Sequence, residues 1–201
     1  VAPRARAAGL RALRLATYQA VSGAGSRAVE ELRQGSRAVL DGKSAAAFAF
    51  PRPIPFDCLP HCDAFDAEGW SAEERKLERE TRKILALPGL AVSATAVRVP
   101  VERGHALAAW IATDRPLHPD EARAILAAAP GVAVEDDPAA ARYPTPRSAV
   151  GRDEVFVGRI RRDPADPAGL AMWIVSDNLR KGAALNAVQI AEMLLGPARI
   201  P

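Results

Sequence analysis

The sequence lacks long hydrophobic runs. No stretch of about 18 consecutive apolar residues occurs anywhere in the 201 residues, whereas a helix needs about 20 to cross a bilayer. No segment has the layout of a signal peptide either. We therefore expect no membrane partner.

Cysteine is scarce. The chain has two cysteines, Cys58 and Cys62, both in "CLPHCD". Two cysteines do not make a disulfide framework, so the composition favours a cytoplasmic protein. With His61 and Asp63 they are also possible metal ligands. However, the spacing is not a paired CxxC and no second pair follows. We expect two partly buried thiols and no metal site.

Aromatic residues and blocks of like charge are also rare. Aromatics make up 5% and hydrophobic residues 49% of the chain, so the core must be built from Ala, Val, Leu and Ile. The 27 basic residues nearly balance the 24 acidic ones, giving a net charge of +3. No run of like charges predicts a nucleic-acid-binding tail. A basic groove and a site for a small acidic substrate fit this charge equally well, and we expect the small molecule and no nucleic acid.

Apolar patterns predict strands and helices in alternation without regular βαβ repetition. Strands are predicted over 12–19, 90–101, 106–114, 153–163 and 169–177, and helices over 26–40, over 71–87, from Pro119 and after Asn178. This order indicates an α+β fold with a mixed, largely antiparallel sheet and helices packed on one face. Residues 45–62, rich in proline, form an extended segment, either an edge strand or an arm towards another subunit.

Helical spacing also predicts which side chains are buried. The buried residues are expected to be Leu77, Thr81, Ile84 and Leu85 in the second helix and Ala184, Val188, Ala191 and Leu195 in the last. Strands "VFVGRI" and "LAMWIV" are apolar at nearly every position, more than one-sided burial requires. This predicts that a second subunit covers the sheet, giving a homodimer.

Three local patterns have both a structural and a functional interpretation. The "SGAG" turn before the first long helix either binds a polar group at the helix N-terminus or only makes a turn. Glu73 and Lys76 either form a surface ion pair or face a site. In "RVPVERGH", His105 is either a turn residue or, with Arg98, half of an active site.

Five motifs, in order, favour the functional interpretations. "TYQAVSGAG", "ERKLERETRKIL", "VSATAVRVPVERGH", "AVGRDEVFVGRIRRD" and "WIVSDNLRKGAALNAVQIAE" together resemble the second domain of the aspartate-semialdehyde dehydrogenase family, from about residue 10 to 195. The resemblance implies a fold like the C-terminal domain of glyceraldehyde-3-phosphate dehydrogenase. It also implies that residues 1–201 are one catalytic and dimerisation domain, whose Rossmann-type NADP-binding domain lies upstream and outside this chain.

The resemblance further implies the reaction. Family members reduce L-aspartyl 4-phosphate to aspartate semialdehyde with NADPH, releasing phosphate, in the biosynthesis of lysine, threonine and methionine. A cysteine of the first domain forms the acyl-enzyme. Neither that cysteine nor a GxGxxG loop occurs here, so the isolated chain is expected to be inactive.

Roles follow residue by residue from the same resemblance. His105 matches the general base and Gln19 a substrate-orienting amide near the acyl-enzyme. Arg98 matches the clamp for the substrate carboxylate, Glu73 the residue that recognises the ammonium, and Lys76 a phosphate contact. The residues that match the cofactor contacts are Ser22, Gly23 and Asn178.

The sequence departs from the family pattern at Ala96, at Ala106 and in "DCLPHCD", which leaves the packing near residues 57–63 open. Two alternatives also stay open. One is a catalytically silent, dimerising paralogue. The other is a related acyl-phosphate reductase such as N-acetyl-glutamyl-phosphate reductase. This alternative is disfavoured, because an acetylated amine carries no charge for Glu73 to bind.

Overall fold

The structure is a computed structural model that describes residues 8–195, without the side chain of Leu195. A six-stranded sheet organises it. Its strands are β1 (Ala12–Gln19), β2 (Ala91–Arg98), β3 (His105–Ala112), β4 (Val132–Val134), β5 (Val155–Arg162) and β6 (Gly169–Ser176). They lie in the order β2-β1-β3-β6-β5-β4. The pairs β1–β2 and β4–β5 are parallel and the other three are antiparallel.

Five α-helices accompany the sheet in the described part of the chain. They are α1 (Ser26–Leu40), α2 (Ala72–Leu85), α3 (Pro119–Ala127), the single-turn α4 (Pro146–Ala149) and α5 (Leu185–Leu195). A 3₁₀ turn, Val21–Ala24, leads into α1, and a π-helical turn, Arg180–Ala184, leads into α5. Helix α2 begins with a capping box, in which Ser71 and Glu74 satisfy each other's backbone N–H groups.

One face of the sheet carries the main core. Along β1, Leu13 and Leu15 point into this face while Arg14 and Tyr18 point out of the other, as alternation along a strand requires. Helices α2 and α3 both pack on the inner face. The buried residues there include Leu13, Leu15, Ala94, Ala109, Ile111, Ala122, Leu126, Val157, Ile160, Leu170 and Met172. The predicted α+β class, with helices on one face of a mixed sheet, is confirmed.

The second face of the sheet is only partly covered. The short helix α4 places Ala149 against Ala106, Phe156 and Val175 near one end. Further along, Tyr18 is 37% exposed and its ring lies 5.1 Å from that of Trp173. This chain alone therefore leaves an aromatic surface on that face in contact with solvent.

The burial predicted for four residues is wrong. Ile84 is 75% exposed, because α2 turns Leu77, not Ile84, towards the core. In α5, Val188 and Ala191 are exposed, as is Ala184 before it, since among the described residues the helix contacts mainly the π-helical turn that precedes it. The side chain of Leu195 lies outside the described residues.

The proline-rich stretch was predicted as an extended edge strand or an arm to another subunit. Between residues 45 and 62 it forms no strand and has a single bridge, Leu59 to Arg98. It packs on α1 of its own chain instead, with Ile54 and Leu59 in the same buried cluster as Leu32. No helix within residues 8–195 is long and apolar enough to cross a membrane.

Candidate active site

Three strand ends meet at one edge of the sheet. Gln19 ends β1, Arg98 ends β2, and His105 begins β3. Because β1 lies between β2 and β3, Arg98 and His105 flank Gln19 on either side. Arg98 and His105 are seven residues apart in the sequence and still reach one site. They do so because residues 99–104 pass across the end of β1, where the Val99 N–H donates to the Gln19 carbonyl at 3.0 Å.

The imidazole of His105 is held in one orientation. Its Nδ1 accepts a hydrogen bond from the backbone N–H of Ala20 at 3.1 Å. Burial, together with the positive charge of Arg98, lowers the pKa of His105 to about 4. The ring is therefore neutral at neutral pH, and since Nδ1 is an acceptor, Nε2 carries the hydrogen.

The guanidinium of Arg98 lies beside this ring. Arg98 is 8% exposed, and its Nη1 donates to the Ala20 carbonyl at 2.9 Å. Its Nε is buried without a hydrogen-bond partner within the described residues. A buried cation with unused donors is costly unless an acceptor binds to it, so this position favours an anionic ligand.

Gly23 provides the space in front of both groups. A Cβ atom built on Gly23 would lie 3.1 Å from Arg98 Nη1 and 3.1 Å from His105 Nε2. Next to it, the amide of Asn178 donates to Ser22 Oγ at 3.1 Å and accepts from the Gly104 N–H at 2.9 Å. The three residues expected to contact the cofactor thus lie together, adjoining His105.

A polar chain connects the sheet edge to helix α2. The side-chain amide of Gln19 donates to Glu73 at 3.3 Å, and Lys76 Nζ contacts the other carboxylate oxygen of Glu73 at 3.3 Å. The ion pair expected from helix spacing is therefore present, and it also reaches the edge residue Gln19. The structure brings all eight residues singled out in the sequence to this edge.

The two cysteines differ in environment. Cys58 is exposed, whereas Cys62 is buried and burial raises its pKa to about 11. A thiol that stays protonated is a poor nucleophile. His61 packs its ring on Phe65, with centroids 4.5 Å apart. Within residues 8–195 no three His, Cys, Asp or Glu side chains are grouped to hold a metal ion.

An ion pair between Arg103 and Asp177, which the sequence did not suggest, holds residues 99–104, the loop that crosses the end of β1. Asp177 is fully buried, and its carboxylate accepts two hydrogen bonds from Arg103 at 2.9 and 2.6 Å and one from the Gly151 N–H at 2.8 Å. Burial acts to raise the pKa of Asp177, but these hydrogen bonds lower it overall. An acidic residue directly after an apolar strand was the available signal.

Comparison with known proteins identifies the family of the chain. The chain matches the family model for the semialdehyde dehydrogenase dimerisation domain over residues 1–181. It is 50% identical over 189 residues to the aspartate-semialdehyde dehydrogenase of Aquifex aeolicus, covering 94% of this chain and 56% of that protein. The chain thus spans about half the length of the curated relatives it matches.

Solved structures give the same picture. Aspartate semialdehyde dehydrogenase II from Vibrio cholerae, in complex with ASA, superposes with a TM-score of 0.93 at 40% identity, covering 97% of this chain and 57% of that one. The Candida albicans enzyme with NADP has a TM-score of 0.70 at 26% identity, covering 96% of this chain and 52% of that one.

Proposed function

Because this chain belongs to the semialdehyde dehydrogenase dimerisation-domain family, we propose that it is the catalytic and dimerising half of an NADP-dependent aspartate-semialdehyde dehydrogenase. An upstream Rossmann-type domain supplies the nucleophilic cysteine and the dinucleotide-binding loop. The complete enzyme reduces L-aspartyl 4-phosphate to aspartate semialdehyde and phosphate, in the biosynthesis of lysine, threonine and methionine. The observation that carries the proposal is the meeting of Gln19, Arg98 and His105 at one sheet edge.

Arg98 binds the substrate carboxylate. A planar guanidinium can donate two parallel hydrogen bonds to a carboxylate, and its Nη1 is already oriented by the Ala20 carbonyl. Burial strengthens the interaction because water does not compete for the donors.

His105 acts on the proton of the reacting thiol or thiohemiacetal. Its pKa of about 4 keeps it uncharged at neutral pH. With Nδ1 occupied by Ala20, proton exchange takes place at Nε2, the nitrogen nearest Gly23. As a hydrogen-bond donor to a thiohemiacetal oxygen the ring works in its present tautomer. As a general base it must first release the Ala20 contact and move its hydrogen to Nδ1.

The remaining polar groups recognise the rest of the substrate. Glu73 pairs with the substrate ammonium, and Lys76 contacts the phosphate as a point charge. Gln19, hydrogen-bonded to Glu73, orients the acyl group. This division of labour disfavours an N-acetylated substrate, whose amine carries no charge for Glu73 to bind.

Ser22 and Gly23 would form the turn that touches NADP, and Asn178 would lie at its nicotinamide end, while the upstream domain would hold most of the cofactor. The residues fit this role, because the glycine leaves a backbone surface open beside His105 and the amide of Asn178 is already oriented by two hydrogen bonds. The cofactor supplies the hydride of the reaction.

The partner in solution is a second copy of this chain. The aromatic surface around Tyr18 and Trp173 is open in one copy, and an exposed surface of this kind favours association. Cys58 and Cys62 are unpaired, which fits a reducing, cytoplasmic compartment. Sedimentation that finds only monomer at micromolar concentration contradicts the dimer.

The decisive experiment compares the chain with its complete gene product. Phosphate-dependent reduction of NADP by aspartate semialdehyde is measured for both. We expect turnover by the complete protein and none by the 201-residue chain. Turnover by the isolated chain would refute the assignment of the nucleophile to an upstream domain. A complete protein that is folded and dimeric but inactive would identify the silent paralogue, and preference for an N-acetylated substrate would identify the related reductase.

A further inference from the structure

Glu31, in the middle of α1, is a buried carboxylate that the proposed chemistry does not use. It is 0% exposed. Its Oε2 accepts hydrogen bonds from three consecutive backbone N–H groups, those of Phe48 at 2.7 Å, Ala49 at 2.5 Å and Phe50 at 3.3 Å. Its Oε1 has no hydrogen-bond partner in the described part of the chain. Burying a carboxylate with one unpaired oxygen costs folding free energy. The position of Glu31 therefore indicates a structural requirement, namely that a neighbouring segment is held in place.

The requirement concerns residues 45–59, which we call the strap. The strap contains no helix or strand, so contacts with its neighbours must define its path. A Cβ on Gly35 of α1 would lie 3.3 Å from Ala45 Cβ, at the start of the strap, and 2.6 Å from Pro55 Cγ, which shows how closely the strap approaches the helix. At its far end, Leu59 exchanges two backbone hydrogen bonds with Arg98, at 2.9 and 2.8 Å.

The strap also contacts the side chain of Arg98. The guanidinium carbon of Arg98 lies 5.7 Å from the centre of the Phe50 ring, in cation–π geometry. Phe50 is one of the three residues whose N–H groups Glu31 binds. The guanidinium is therefore held by the Ala20 carbonyl through Nη1 and by the Phe50 ring.

We propose that Glu31 is a positioning residue for Arg98. By binding the amides of residues 48–50, it fixes the Phe50 ring against the guanidinium and so sets the direction in which the free donors of Arg98 point. The functional consequence rests on the proposed role of Arg98 as the carboxylate clamp. The positional link from Glu31 through Phe50 to Arg98 does not depend on that role.

The link is tested first by NMR on the 201-residue chain. The Arg98 Nε–H signal, assigned with Arg98→Lys, reports the ring current of Phe50, and amide exchange reports the clamp on residues 48–50. We expect Glu31→Ala to lose both the amide protection and the ring-current shift. Glu31→Gln should retain both, because a single oxygen of Glu31 accepts all three hydrogen bonds.

Phe48 offers a matched control. It lies on the same strap and its N–H donates to the same carboxylate, but the cation over its ring is Arg27, whose guanidinium carbon lies 5.9 Å from the ring centre, whereas Arg98 lies over the ring of Phe50. Phe50→Leu should abolish the ring-current shift of Arg98, and Phe48→Leu should leave it unchanged. If the Glu31→Ala chain does not fold, Glu31→Asp, which withdraws the carboxylate by one methylene, replaces it with the same expectation.

Kinetics of the complete dehydrogenase then test the consequence. Glu31→Ala and Phe50→Leu should each raise the KM for aspartate semialdehyde by about 3- to 10-fold, the effect of losing one cation–π contact. The kcat should stay within about twofold, as for an interaction made in ground and transition states alike. Phe48→Leu should change neither constant.

Two results overturn the proposal. One is an Arg98 signal that is unchanged when residues 48–50 lose their protection. The other is an equal shift in the Phe48→Leu and Phe50→Leu chains. If the NMR changes appear as expected but KM does not move, the positional link stands and the carboxylate clamp assigned to Arg98 falls.

Discussion

Replacing Gly23 with alanine adds one methyl group at the most crowded point of the site. Gly23 does not have a positive φ, so alanine brings no backbone strain. The new Cβ would lie 3.1 Å from Arg98 Nη1 and from two atoms of the His105 ring. Non-bonded heavy atoms prefer about 3.5 Å or more. The two side chains must therefore retreat by about 0.4 Å.

This displacement sets the expected loss of activity. Misplacing a reacting group by about 1 Å can cost on the order of 100-fold, so a shift of about 0.4 Å should lower kcat/KM by about 3- to 10-fold. Stability should not fall with it. Gly23 is exposed, and Gly to Ala at a compatible backbone position stabilises by up to about 1 kcal/mol through the unfolded state.

The assay is steady-state kinetics of the complete enzyme, together with thermal unfolding. Gly89→Ala is the control, because no atom lies within 4 Å of its added Cβ and Gly89 does not have a positive φ either. It should leave kcat/KM essentially unchanged and, by the same unfolded-state argument, should not lower the unfolding temperature. Wild-type kcat/KM in Gly23→Ala would show that catalysis does not depend on the positions of Arg98 and His105 around Gly23, and would refute the proposed geometry of the site.

Three further perturbations probe neighbouring groups. Arg98→Lys in the complete enzyme should raise KM and lower kcat, because lysine keeps the charge but loses the two-pronged donor. By contrast, His105→Ala should lower kcat by roughly 100- to 10,000-fold with little change in KM, and near-normal kinetics would reduce His105 to a turn residue. Changing both Cys58 and Cys62 to Ser should leave turnover within a few-fold, since Cys62 is buried with a raised pKa; a loss of several orders of magnitude in a folded variant contradicts this. Finally, the unfolded chain binds a proton at His105 near pH 6.5 and the folded chain only near pH 4, so lowering the pH through this window should cost the 201-residue chain about 3 kcal/mol of folding free energy. Urea unfolding of His105→Gln, which does not titrate there, should lack that part of the slope.

Periodicity was sufficient for the elements whose apolar residues follow one repeat. Strand β1 and helix α1 have the predicted bounds, because residues 12–19 are mostly apolar and end in β-forming residues, and the helical spacing after the "SGAG" turn is uninterrupted. The capping box at Ser71 is also recognisable from the sequence, because Glu74 follows Ser71 by three residues. The order of the strands in the sheet could not be predicted in this way, because the sequence of one strand does not determine which strands lie beside it.

The errors share one cause. Ile84 and Val188 have helical spacing that predicts burial, yet both are exposed. A period identifies an apolar face but not the element that covers it. The same limit applies to the site. Motif resemblance picked out its eight residues, whereas Glu31 and Asp177 act through a distant backbone segment or loop, which no spacing along the sequence reveals.

The position of β1 between β2 and β3 has a consequence for synthesis on the ribosome. Strand β1 emerges before both of its neighbours, which are encoded far downstream of it, with Ala12 paired to Ala91 on one side and to Ala112 on the other. The chain cannot bring Gln19, Arg98 and His105 together until translation has passed residue 112. Until then β1 has two unpaired, apolar edges that can pair with another nascent chain. The order of the strands thus makes β1 the strand of this sheet that waits longest for a first partner while the chain is being made.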